Sequence, residues 1–138
     1  MARATAERLL LDLARDISAR AGALDHEPDI KAALETIVTA LGSAYAPDAA
    51  LATALREDWL RGRGDKTARL ALAWAREQVR LALSEVLQHA LAMRAMRADG
   101  DVDTLAWLWL AACEALAHEP LSAAGDRAHA LLAFLRTT

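Results

Sequence analysis

Apolar residues recur every three or four positions along almost the whole chain, and short polar or glycine-containing breaks interrupt the rhythm. That period is the α-helix's, with one apolar stripe turned inward. Ala6, Leu10, Leu13, Ile17 and Leu24 predict a first helix over about Ala4 to Ala21. Arg8–Asp12 and Asp16–Arg20 are i,i+4 pairs on its wet side, and Gly22 is placed to end it. Ile30, Ala33, Leu34, Ile37, Leu41 and Ala44 predict a second helix over about Pro28 to Ala44. Pro28 suits a first turn, and Asp25, Glu27 and Asp29 suit its positive end. A third helix starts at Pro47–Asp48 and reaches about Arg61, with Leu51, Leu55 and Trp59 on one face. Gly62 and Gly64 break it in the basic loop RGRGDK. No strand precedes that loop, so a solvated turn is favoured over a phosphate cradle.

The fourth helix is the longest, about Asp65 to Ala98. Leu72, Val79, Leu83, Val86 and Ala90 form a continuous apolar side, and Arg69, Arg76 and Arg80 a basic edge. A third line carries Trp74, Gln78, Leu81, Glu85, His89 and Met96. A helix apolar on most sides is central in a bundle. The fifth helix begins at Asp101 or Asp103 and runs to about His118. Leu105, Leu108, Trp109, Ala112, Cys113 and Leu116 make one face; Trp107, Leu110 and Ala111 lie toward the other, beside Glu114 and His118. The sixth follows Ser122 as N-cap and runs to about Arg136. Its polar edge is narrow, and Ala128, Leu131, Leu132, Phe134 and Leu135 cover the rest.

The expected fold is therefore all-α, a six-helix orthogonal or antiparallel bundle. Its last two helices carry more apolar surface than one neighbour can cover. A soluble monomer rarely exposes a patch above a few hundred Å2. Two helices from each of two chains would bury it in a four-helix interface, so a homodimer is expected. The expected interface residues are Trp107, Leu110, Ala111, Glu114, His118, Ala128, Leu131 and Leu135.

Composition narrows the class. The 138 residues form one domain by length and can bury roughly two thirds of the unfolded surface. Hydrophobic residues make up 55% and aromatics only 4%, and Ala and Leu dominate, which favours helix. The single cysteine, Cys113, excludes an intramolecular disulfide and fits a reducing setting. A net charge of −3 argues against nucleic-acid binding by this chain. No apolar run reaches the roughly 18 residues of a membrane span. The N-terminal stretch mixes charges into its apolar residues, unlike a secretory signal. A cytoplasmic location is expected, with no membrane partner.

Candidate chemistry is sparse. Asp99, Asp101 and Asp103 alternate as in a calcium loop, but an EF-hand needs glycine at its sixth position and glutamate at its twelfth, which here are Thr104 and Leu110. Gly100 as a stop and the aspartates as caps is the better reading. Glu85/His89 and Glu114/His118 each share a helix face. Carboxylate-bridged di-metal bundles use a shorter Glu-x-x-His spacing, so an intrahelical contact is favoured over a metal. A helical metal-binding protein or small enzyme built on these four residues is the alternative. No nucleophile elbow, Walker loop, dinucleotide fingerprint or zinc spacing occurs, so no enzyme activity and no cofactor is expected. Cys113 reads as a small core residue. Trp74 shares a face with Gln78, Glu85 and His89, which fits either a small-molecule pocket or a solvated edge.

The segment SEVLQHALAMRAMRADGDVDTLAWLWLAACEALAHEP resembles the C-terminal half of the tetracycline-repressor (TetR) family of bacterial transcription regulators. The resemblance lies in Arg97–Ala98–Asp99, in Asp101–Val102–Asp103, in the apolar run Leu105 to Leu116, and in a last helix over Asp126 to Leu135. The segments AALETIVTALGSAYAPDAALATALRE and ARLALAWAREQVRLALSEVL fit the preceding helices, so the likeness covers about Ile30 to Leu135. It implies a single effector-binding and dimerisation domain over residues 1–138, with the first helix as the connector to a DNA-binding head. No helix-turn-helix precedes Leu9, so DNA binding is not expected of these residues. The implied partner is a small, mostly apolar effector bound near Trp59, Trp74, Gln78, Leu81, Glu85, His89 and Trp109.

Overall fold

A computed structural model describes residues 5–61, 65–95 and 101–137. Six α-helices account for nearly all of them: α1 Ala6–Ala23, α2 Ile30–Ala44, α3 Ala50–Arg61, α4 Lys66–Ala92, α5 Val102–Leu116 and α6 Leu121–Thr137. A 3₁₀ turn, Leu24–His26, follows α1. The fold is an all-α bundle, and no strand occurs among the described residues.

Short polar side chains start the helices. Thr5 accepts from the Arg8 N–H, Asp29 from Ala32, Asp65 from Ala68, and Asp101 from both Asp103 and Thr104. Each satisfies backbone donors that the first helical turn leaves without partners. Asp29 takes the N-cap role, so α2 begins two residues after Pro28. Gly22 lies inside α1, which continues to Ala23. At α6 the Pro120 carbonyl accepts from Ala123 and Ala124, so the helix starts before Ser122.

Helix α4 ends at Ala92, six residues short of Ala98. Arg94 takes a left-handed backbone, φ 58°. Its N–H bonds to the Leu91 carbonyl and the Ala95 N–H to that of Ala90, the paired pattern of a Schellman cap. Glycine is the usual residue there, because a side chain in that conformation costs roughly 1–2 kcal/mol. The expected junction at Arg97–Ala98–Asp99 and the Gly100 stop lie outside the described residues.

The most extensive packing is between α1 and α4. The two helices run in the same direction. Thr5 and Glu7 lie beside Ala68 and Leu72 at one end, Ser18 donates to Glu85 at 3.0 Å further along, and His89 meets Asp25 at 3.2 Å beyond it. Leu10, Ala14, Ile17 and Ala21 from α1 join Ala75, Val79, Ala82, Leu83, Val86 and Ala90 from α4 in one core. Helix α5 runs antiparallel to α4: Asp103 accepts from Ser84 at 2.8 Å, and Glu114 holds Arg76 at the other end.

That antiparallel seam corrects one expectation. Leu110, expected to face a twin, is fully buried in the chain's own core with Ala106, Trp109 and Cys113. It sits seven residues after Asp103 and four before Glu114, on the side that both carboxylates turn toward α4.

Two outcomes are expected. Leu110→Ala should cost about 2–5 kcal/mol of unfolding free energy in urea, the loss of a fully buried leucine. Arg94→Gly should raise stability by about 0.5–1 kcal/mol by relieving the left-handed residue, measured in the same titration.

Candidate functional site

Three surface concavities carry the polar and aromatic residues of interest. The first lies between α1 and α4. Trp74, Gln78, Leu81 and Glu85 line it from α4, and Leu11, Ala14, Arg15 and Ser18 from α1. Helical spacing brings four of the expected ligand residues together here, in a wide groove of about 500 Å3. Trp74 is 57% exposed, and the Glu85 carboxylate is engaged by Ser18.

The second concavity holds about 640 Å3 between α3, α4 and the end of α5. Ala52, Leu55, Trp59, Leu60, Leu72 and Ala117 form its apolar walls, and Arg56, Glu114 and His118 its polar groups. Trp59 is here, on a different side of α4 from Trp74. Glu114 and His118, expected at a dimer interface, line this groove instead. Both Glu114 oxygens are taken by Arg76, at 2.6 Å to Nε and 2.7 Å to Nη2. The Glu114 hydrogen bond holds the Arg76 guanidinium charged, above its ordinary range. Each side chain is about a third exposed, so even this two-pronged pair contributes at most about 1 kcal/mol.

The third concavity, about 350 Å3, separates α2 from α6. Val38, Gly42 and Ala46 face Leu121, Ala124, Gly125, Ala128, Leu131 and Leu132 across it, with Thr39, Ser43 and His129 as its polar groups. Ala128 and Leu131, expected against a twin, thus turn toward α2 of their own chain. Leu135 belongs to α6, but its side chain lies outside the described residues.

The remaining expected residues go elsewhere. His89 pairs with Asp25 and lines none of these three concavities. Trp109 is a core residue, and its Nε1 has no hydrogen-bond partner. Of the expected interface, Trp107 stands 53% exposed and Ala111 is half-buried. Leu108, expected to face inward, is 57% exposed, and Ala115 is exposed beside it. Ala130, Ala133 and Phe134 are exposed on α6. Arg56 and Leu60 were not singled out from sequence. Their signal is spacing: Arg56, Trp59 and Leu60 stand at i, i+3 and i+4 on α3.

Tyr45 and Cys113 lie buried near Glu114. Burial first, and the Glu114 charge second, raise the Tyr45 phenol above its ordinary value. Burial pushes the Cys113 thiol up to about 12, so it is an inert core group. The Tyr45 hydroxyl is buried and makes no hydrogen bond. Among the described residues no three His, Cys, Asp or Glu stand close enough to hold a metal ion, so Glu85, His89, Glu114 and His118 do not converge. No helix of the described residues is long and apolar enough to cross a membrane.

The chain matches no protein-family model, no curated protein and no solved structure.

A buried hydroxyl without a partner costs about 1–3 kcal/mol of desolvation. Tyr45→Phe should therefore leave stability unchanged or raise it by about 1 kcal/mol. Thermal unfolding followed by circular dichroism reads the result, and a lowered midpoint would contradict the assignment.

Proposed function

We propose that this chain is the effector-binding and dimerisation domain of a TetR-like transcription regulator, active as a cytoplasmic homodimer and not as an enzyme. A regulator of this class reads DNA through a helix-turn-helix domain, and the helices described here are assigned to its regulatory part. One observation carries the reading: α5 is two-sided. Its last turn and the residues just after it, Glu114, Ala117 and His118, border the 640 Å3 groove. Its outer face presents Trp107, Leu108, Ala111 and Ala115.

Ligand pockets run from about 300 to 1,000 Å3 with mostly apolar walls and a few polar groups, which the groove around Trp59 matches. The outer face is apolar in the way a homodimer interface is. Together with Ala130, Ala133 and Phe134 on α6, it supports pairing of α5 and α6 with a second copy. The resemblance of the run Leu105 to Leu116 to the family's apolar helix points the same way. The α1–α4 groove around Trp74 is smaller, more open and less apolar in its walls, so the effector is assigned to the groove around Trp59.

Multi-angle light scattering at micromolar concentration tests the assembly. The expected mass is twice that of the chain. Leu108→Glu and Phe134→Glu should each give a monomer of unchanged helicity, because both side chains are exposed within one chain. A wild-type mass of one chain would overturn the dimer.

A further inference from the structure

We propose that the groove between α3, α4 and α5 takes an anionic amphiphile: an apolar chain or ring system ending in a single carboxylate. The proposal rests on the effector-binding reading and adds the charge of the ligand to it.

The apolar part follows from the walls. Trp59 and Leu60 are 62% and 63% exposed on one side of α3, with Leu55, Leu72 and Ala117 facing the same space. Water against those side chains is the unfavourable term that a covering hydrocarbon removes. The head group follows from the charges around the groove. Its one carboxylate, Glu114, is neutralised by the two hydrogen bonds from Arg76. Arg56 forms no ion pair among the described residues. It sits one turn before Trp59 and Leu60, so its guanidinium lies at the water-facing edge of the same apolar wall. His118 is a second donor lining the groove.

A guanidinium offers paired N–H groups that match a carboxylate's two oxygens. An amphiphile can place its tail along Leu55, Trp59, Leu60 and Leu72 and its head at Arg56 without taking the head out of water. A cationic head would meet Arg56 as a like charge. A neutral hydroxyl would forgo the charge-assisted bond.

Calorimetric titration with three probes of one chain length separates these cases: decanoate, decanol and decyltrimethylammonium, each below its aggregation threshold. Decanoate should bind about five- to tenfold more tightly than decanol, as one charge-assisted hydrogen bond at a water-exposed edge allows. Decyltrimethylammonium should bind most weakly. Arg56→Gln, at an exposed position, should abolish the preference for decanoate while leaving decanol affinity unchanged. Ala117→Trp should weaken all three by filling the groove, with helicity checked by circular dichroism.

Equal affinity for decanoate and decanol would overturn the anionic assignment while the groove reading stands. So would a preference that survives Arg56→Gln, or tightest binding of decyltrimethylammonium. Binding of none of the probes, or binding unaffected by Ala117→Trp, would instead overturn the groove as the effector site and this proposal with it.

Discussion

The parallel pairing of α1 with α4 is the constraint on which the rest of the structure depends. Two neighbouring helices that run in one direction cannot be joined by a short turn. The chain must travel back along the bundle between them, and α2 and α3 are that return. The close packing is made by small side chains: Ala14 and Ala21 on α1 join Ala75, Ala82 and Ala90 on α4 in the same core. Alanine at such positions lets helix axes approach while preserving helix propensity. With α1 on one flank, the 27 residues of α4 are free to accept α5 on the other. The grooves beside Trp74 and Trp59 are the spaces left along the two flanks.

Polar groups set the register of the second flank. Asp103 accepts from Ser84 and lies 3.6 Å from an Arg80 guanidinium nitrogen; eleven residues later Glu114 grips Arg76. Eleven residues are about three helical turns, so both carboxylates fall on one side of α5. Ala106, Leu110 and Cys113 are then carried into the core, and Leu108 outward. The individual pairs contribute little to stability because they are partly exposed. Their effect is on specificity: they select one face of a helix that is apolar nearly all round.

That distinction explains what was legible in the residues beforehand. The helices were legible from their apolar stripes, and the starts of α4 and α5 also from the aspartates Asp65 and Asp101 that cap them, whereas the caps Thr5 and Asp29 fall inside the first turns expected for α1 and α2. The end of α4 was not, because Arg94 adopts a left-handed conformation for which glycine is the usual signal. On α4, Trp74, Gln78, Leu81 and Glu85 do line one groove, since i, i+4, i+7 and i+11 share a face in any helix, but His89, grouped with them from sequence, turns to Asp25. Trp59 could not be assigned to a separate groove, because no periodicity relates α3 to the flank of α4 it packs near. The inward face of α5 was likewise ambiguous from its own run, LAWLWLAACEAL. Which leucine turned inward depended on Ser84, Arg80 and Arg76, residues of another helix.

On the proposed reading, this use of α5 also supplies a route from ligand to assembly. One helix borders the groove through Glu114, Ala117 and His118 and presents Trp107, Leu108 and Ala111 outward. A helix moves largely as a rigid element, and helix shifts of about 1–2 Å at subunit interfaces are a recurrent form of allosteric change. A ligand that favours one placement of the end of α5 would therefore favour one placement of its outer face. The shift it can impose is limited to its difference in affinity for the two placements. The Arg76–Glu114 pair holds the relevant end of α5 to α4 with two short hydrogen bonds, yet contributes at most about 1 kcal/mol because it is partly exposed. A contact that is geometrically specific but energetically modest is one that a bound ligand could shift without unfolding the bundle beneath it.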